Sequence, residues 1–214
     1  MSVKVSVARE GLPFIVVPAV LGAGLVIAGR RALALPFAAA SLVSLGFFRD
    51  PEREVPSVPG GVLSPADGRV LSVDAVEDRF VGPAVRVAIF LSPLDVHVNR
   101  APITGRIVEY RYNPGRKIAA FAEKSSLENE QNLVVIEDGR GGTVALKQIA
   151  GLLARRIVFD KKEGDEVVRG ERIGMIKFGS RVDVFFSPAT TIKVQMREKV
   201  KVGLTVIAEI EERA

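Results

Sequence analysis

A chain of 214 residues holds one full domain and an appendage. It has no cysteine and a single histidine, His97, which excludes disulfides, zinc fingers, Cys-ligated iron–sulfur clusters, a thiol nucleophile and any multi-histidine metal site. A net charge of +5 and a pI near 9.7 favour anionic partners. With no tryptophan, two tyrosines and no basic tract interleaved with aromatics, an acidic membrane face fits better than nucleic acid.

In chain order, a polar start carrying Lys4, Arg9 and Glu10 gives way to residues 11–29, GLPFIVVPAVLGAGLVIAG, which carry no charge. Arg30 and Arg31 interrupt, and residues 32–48 are again uncharged. A helix over 11–29 spans about 28 Å, close to the hydrocarbon thickness of a bilayer. Pro13, Pro18 and Pro36 would kink such helices, which a membrane tolerates better than water does. A cleaved signal peptide should have a shorter core and no second apolar run. A buried soluble hairpin would need a polar face that both runs lack. Residues 1–48 therefore read as a membrane-associated helical hairpin, spanning or re-entrant. Lys4, Arg9, Arg49 and Arg53 lie at its open end and only Arg30–Arg31 at its tip, which places the downstream domain at the cytoplasmic side of the cell membrane.

Residues 49–61, RDPEREVPSVPGG, read as a charged, proline-rich linker. From residue 62 to 214 the pattern turns to β. Alternating or β-branched runs occur at 85–91, 105–112, 132–138, 142–150, 156–160, 172–178, 181–187, 191–196 and 203–210. The expected fold is mainly β (α+β), a compact sandwich or barrel-like catalytic domain behind an apolar helical hairpin. KIAAFAEKSSLENEQ, 117–131, is the one soluble stretch that suits a helix or ordered loop.

Four stretches stand out for chemistry. SPADGRV, 64–70, is most simply a turn between strands, with Asp67 at a position aspartate favours. SPLDVHVNRAP, 92–102, holds His97 in a polar neighbourhood of Asp95, Asn99 and Arg100. ENEQN, 128–132, reads as a solvated loop. Gly179-Ser180 interrupts the strand-like run MIKFGSRVDVFF. The simplest account of that break is a β-bulge or corner. The alternative is a strained peptide bond at glycine, whose carbonyl the Ser180 hydroxyl attacks with the help of a base. His97 is the only imidazole, and Asp67 or Asp95 are candidates to orient it. Spacing alone does not choose between bulge and self-cleavage.

Taken in order, FRDPER, SPADGRV, FLSPLDVHVNRAPITGRI, NEQN, KQIAGLLARRI and KFGSRVD after an apolar N-terminus resemble the phosphatidylserine decarboxylase family, and most closely its short form with an FGSRVD cleavage segment. The likeness runs from about Phe48 to Phe186. It implies a proenzyme that cuts itself between Gly179 and Ser180, by an N-to-O acyl shift and β-elimination, leaving a covalent pyruvoyl group derived from Ser180. A large chain, 1–179, and a small chain, 180–214, would remain together as a heterodimer. The pyruvoyl ketone would form a Schiff base with phosphatidylserine and release carbon dioxide to give phosphatidylethanolamine. The resemblance implies no metal and no cofactor beyond residue 180.

By motif, Asp67 matches the family's catalytic aspartate and Ser180 its pyruvoyl precursor. Many members carry two histidines three apart; His97 matches the first, and Arg100 stands at the second. Either His97 serves both cleavage and decarboxylation, or cleavage relies on Asp67 and another base. Arg49, Arg53, Arg100 and Arg116 are candidates for phosphate or carboxylate contacts, and Lys177 is expected on a strand facing solvent. The lipid core, diacyl or ether-linked isoprenoid as in an archaeal serine phospholipid, does not meet the reactive carbonyl and stays open. Two rival classes are a biotinyl- or lipoyl-like carrier modified at Lys177, and a membrane scaffold without chemistry.

Overall fold

The computed structural model describes residues 5–78, 81–115, 128–151, 156–177 and 180–210, and the chain divides into two compact units, residues 1–53 and 54–214. In the first, β1 (Val5–Val7), a 3-10 turn (Arg9–Gly11), α1 (Leu12–Ile27), α2 (Arg31–Phe47) and β2 (Arg49–Pro51) follow one another. The uncharged runs thus become helices, broken at Gly29, whose φ of +75° suits glycine at the tip. Pro18 and Pro36 lie inside them. The Ser41 hydroxyl donates to the Ile15 carbonyl across the pair at 2.9 Å. At the base, β1 and β2 pair antiparallel, so residues 49–51, expected as linker, form a strand instead. The linker expectation failed there because partner residues 5–7 lie too far away in sequence for local turn signals to reveal them.

Large apolar side chains stay exposed along both helices, among them Val17, Val20, Ile27, Leu35 and Val43. Residues 9–27 form a helix long and apolar enough to cross a membrane, with 11% of it buried; α2 is shorter. Exposed apolar surface of this extent suits contact with a membrane or another apolar surface.

The second unit is mostly β. Its strands are β3 (Gly61–Leu63), β4 (Gly68–Asp78), β5 (Gly82–Leu91), β6 (Val98–Arg100), β7 (Gly105–Asn113), β8 (Gln131–Glu137), β9 (Thr143–Ala150), β10 (Ile157–Phe159), β11 (Glu166–Val167), β12 (Arg172–Ile176), β13 (Ser180–Phe186), β14 (Thr191–Ile192), β15 (Lys199–Val200) and β16 (Val206–Glu209). Eight of them form a curled sheet in the order β11-β7-β8-β9-β13-β5-β4-β15. Two three-stranded sheets, β10-β12-β6 and β14-β16-β3, complete the unit. The main core gathers Val87, Ile89 and Leu91 with Val134, Leu146, Val182 and Val184.

Most of the β runs read from the sequence are strands. Residues 191–196 are one only at 191–192. The 68–78 strand was not anticipated, because its serine and four acidic or basic residues hide the alternation. The 117–131 stretch lies largely outside the described residues.

β13 is buried along its whole length. Its odd positions carry Arg181 and Asp183, charges that a buried strand does not ordinarily hold. The Arg181 guanidinium meets the Asp183 carboxylate in two parallel bonds of 2.5 and 3.0 Å, so each charge is met inside the protein. On the neighbouring strand β9, Lys147 forms a buried ion pair with Asp78 of β4, and its ammonium lies 4.9 Å from the centre of the Phe185 ring.

Candidate active site

One end of the eight-stranded sheet collects the residues singled out by motif. Ser180 opens β13, in register with Leu91 at the end of β5 and with Ala150 at the end of β9. β4 starts beside the same end of β5, with Arg69 opposite Phe90. Asp67 immediately precedes β4. His97 follows Leu91 by one short loop and leads into β6. Antiparallel pairing therefore brings Asp67, His97 and Ser180 to one end of the sheet, although they come from three separate stretches of chain.

Ser180 is fully buried, and its Oγ has no hydrogen-bond partner among the described residues. A buried hydroxyl left unsatisfied costs about 1–3 kcal/mol and calls for a chemical reason. Gly179 lies outside the described residues.

Asp67 sits in the turn joining β3 to β4, half-buried, with Oδ1 accepting from the Val202 backbone N–H at 2.7 Å. The next residue must be glycine: a Cβ on Gly68 would lie 2.1 Å from the Phe90 carbonyl oxygen. That close approach lets the aspartate-bearing turn meet the end of β5.

His97 is fully buried, with Nδ1 2.9 Å from the Asp95 carbonyl oxygen. A carbonyl only accepts, so Nδ1 carries the hydrogen and Nε2 is the basic nitrogen of the neutral ring. The Asp95 carboxylate is spent on the Ser92 N–H at 2.8 Å. Asp95 therefore orients the imidazole through its backbone rather than its carboxylate. The His97 carbonyl in turn accepts from Ile176 at 3.2 Å, tying the histidine to the strand that leads toward Ser180.

Arg100, at the second-histidine position, donates to the Gly170 carbonyl at 3.0 Å. A guanidinium stays protonated and cannot take a proton from serine. Arg49 donates to Gly46 at 2.6 Å, Arg53 is half-buried, and Arg116 lies outside the described residues. Lys177, expected on a strand facing solvent, lies one residue past β12 and is half-buried. Its backbone bond to Arg156 continues the β10–β12 pairing and holds it against the fold.

The expectation of a solvated loop at 128–132 is overturned: Asn129, Glu130, Gln131 and Asn132 are buried. Their polarity misled because each side chain is engaged inside the fold. Asn129 donates to the Ala150 carbonyl at 2.7 Å, beside Ser180, and Asn132 to Gln148 at 2.9 Å. Gln148, on a strand recognised only for its apolar alternation, was not singled out from the sequence. A glutamine at an inward position of a buried strand was the available signal.

A cleft of about 1180 Å³ is lined by Gly61, Thr104, Arg140, Arg169 and Phe186 among others. It opens at the far end of β13, about 20 Å of strand from Ser180. It is not where the converging residues meet.

The family model for phosphatidylserine decarboxylase matches residues 42–208, a span that takes in all three. Proteins named phosphatidylserine decarboxylase proenzyme from Burkholderia multivorans, Burkholderia cenocepacia and Burkholderia lata are each 41% identical over 207 residues, covering 96% of this chain and 97% of theirs. The chain belongs to the phosphatidylserine decarboxylase family. The family match extends the likeness beyond the motif-bearing stretch in both directions, into α2 and into β16. It also goes with the lyase reading and not with a carrier modified at Lys177 or an inert scaffold.

Proposed function

We propose that the chain is a self-processing phosphatidylserine decarboxylase, with a pyruvoyl group made from Ser180. The observation that carries this reading is the buried Ser180 Oγ at the start of a central strand, without a hydrogen-bond partner among the described residues. In the first step Oγ attacks the Gly179 carbonyl carbon and its proton passes to His97 Nε2. The amide C–N bond breaks as the ester C–O bond forms, and the amine of residue 180 takes up the proton. Loss of the Cα proton then breaks the Cβ–O bond and releases Gly179 as a carboxylate. The dehydroalanine left at residue 180 takes up water and loses ammonia.

The residues present fit the product. Residue 180 is walled by β5 and β9 and shut away from bulk water, His97 offers a basic nitrogen, and Asp67 supplies a carboxylate at the same end of the sheet. A pyruvoyl group there supplies a ketone that condenses with the serine amine of the lipid and draws off the electrons released with carbon dioxide. His97 and Asp67 then hold and return protons at the reacting amine and carbon. Only the headgroup takes part, so diacyl and ether-linked lipids are equally served.

The apolar hairpin would hold the enzyme at the cell membrane with the catalytic unit on its cytoplasmic side. Each basic residue near an anionic surface adds about 1 kcal/mol of attraction. The cut chains would stay together because β13 remains hydrogen-bonded between β5 and β9. Denaturing mass spectrometry of protein isolated from membranes tests the proposal. Two chains are expected, the smaller lighter by one ammonia than a chain starting with serine. A single chain that still decarboxylates the lipid refutes it.

A further inference from the structure

The motifs that carry the family likeness are joined by a chain of buried amides. Asn132 Nδ2 donates to Gln148 Oε1 at 2.9 Å, Gln148 Nε2 to Asn99 Oδ1 at 2.7 Å, and Asn99 Nδ2 to the Pro65 carbonyl at 3.1 Å. Asn132, Gln148 and Asn99 are all fully buried. The direction of the relay is fixed by its last member. Pro65 offers only a carbonyl, so Asn99 must turn its NH₂ toward it; Asn99 then presents an oxygen to Gln148, and Gln148 an oxygen to Asn132.

The relay touches every part of the site. Pro65 stands two residues before Asp67, and Asn99 two residues after His97. Gln148 is in register with Val182, which shares its face of β13 with Ser180. Resting on the self-cleavage reading above, we infer that the Gln148–Asn99 hydrogen bond is a positioning device. It holds the Asp67 turn and the His97 strand at a fixed depth against the strand that carries Ser180. Neither amide touches the reacting atoms.

The test uses full-length precursor made by cell-free synthesis into phosphatidylserine-containing vesicles, with the small chain followed by mass after transfer to pH 8 or pH 5. Gln148→Met keeps the volume and removes both bonds; processing is expected to slow by about tenfold or more, the rate equivalent of one buried hydrogen bond. Gln148→Glu reverses the polarity toward Asn99 when ionised and restores it when protonated, since only the acid form has a hydrogen to donate. It should therefore process slowly at pH 8 and recover toward the wild-type rate at pH 5. Each substitution is also placed on Ser180→Ala, where the chain stays whole and its melting temperature is read without cleavage.

Processing of Gln148→Met at the wild-type rate, or a Gln148→Glu rate that does not recover at pH 5 relative to wild type, overturns the inference. Loss of folding in both variants at both pH values overturns it too, because the relay would then serve the core alone. A wild-type precursor that never cleaves is a separate result and strikes the self-cleavage reading instead.

Discussion

Ser180 and Leu91 face one another across adjacent antiparallel strands, and Ala150 faces Ser180 from the other side. The residue proposed as nucleophile is thus the first of a fully buried central strand, where both neighbours would hold the backbone if the chain beside it were cut. This arrangement explains how a break at residue 180 is compatible with an intact fold. Six further register pairs on the β5 side and five on the β9 side would still anchor the small chain after the proposed cut.

Ser180→Ala removes the hydroxyl and should leave one uncut, inactive chain. A denaturing gel of the membrane fraction reads the outcome directly, and normal processing of this variant contradicts the proposal.

His97→Ala should lose decarboxylation by about 10²–10⁴-fold, the usual contribution of a positioned general acid–base. Release of carbon dioxide from labelled lipid measures it. Wild-type rates of both cleavage and decarboxylation would remove the imidazole from the mechanism.

Gly68→Ala should destabilise the protein by about 2 kcal/mol or more, because its Cβ would meet backbone that cannot swing aside. Thermal unfolding of the uncut Ser180→Ala chain measures this without interference from cleavage. Processing of the Gly68→Ala precursor should fall as well, since the Asp67 turn is displaced from the end of β5.

The buried Lys147–Asp78 pair predicts an asymmetry. Lys147→Met alone leaves a carboxylate without its cation and should cost about 3–5 kcal/mol. The double variant Lys147→Met/Asp78→Leu should regain most of that loss. A chemical-denaturant series on the uncut chain distinguishes the two, and equal losses would contradict the ion-pair account.

Acid sensitivity follows from Asp74 in β4. The Ser72 hydroxyl holds its carboxyl below the usual aspartate range, burial works against this, and Arg86 adds to the lowering from 3.1 Å. A lowered folded-state value means stability that is fully present above the unfolded aspartate value, about pH 4, and is lost as pH falls through the folded one. Asp74→Asn should therefore lower stability slightly at neutral pH and converge with the wild type at low pH, flattening the acid limb of the stability profile. The effect is small, because the side chain is 43% exposed and water screens the pair.

What the sequence determined by itself were the local things. Uncharged runs at 11–29 and 32–48 dictate apolar helices because no polar face is available. Alternation in runs such as 85–91 and 142–150 dictates strands because side chains leave the backbone on opposite faces. The ordered motifs carried the family and, with it, Asp67, His97 and Ser180.

Only the tertiary structure decided which charges and amides are inside. Arg181, Asp183, Lys147, Asn132 and Gln148 each look like solvent-facing residues when read along the chain. Lys147, Asn132 and Gln148 are buried because partners distant in sequence satisfy them, and Arg181 and Asp183 because neighbouring strands enclose the pair they make with each other; a one-dimensional pattern holds no record of either. The meeting of a turn at 67, a loop at 97 and a strand start at 180 arises the same way, from strand order and antiparallel register, long-range pairings that no local propensity encodes.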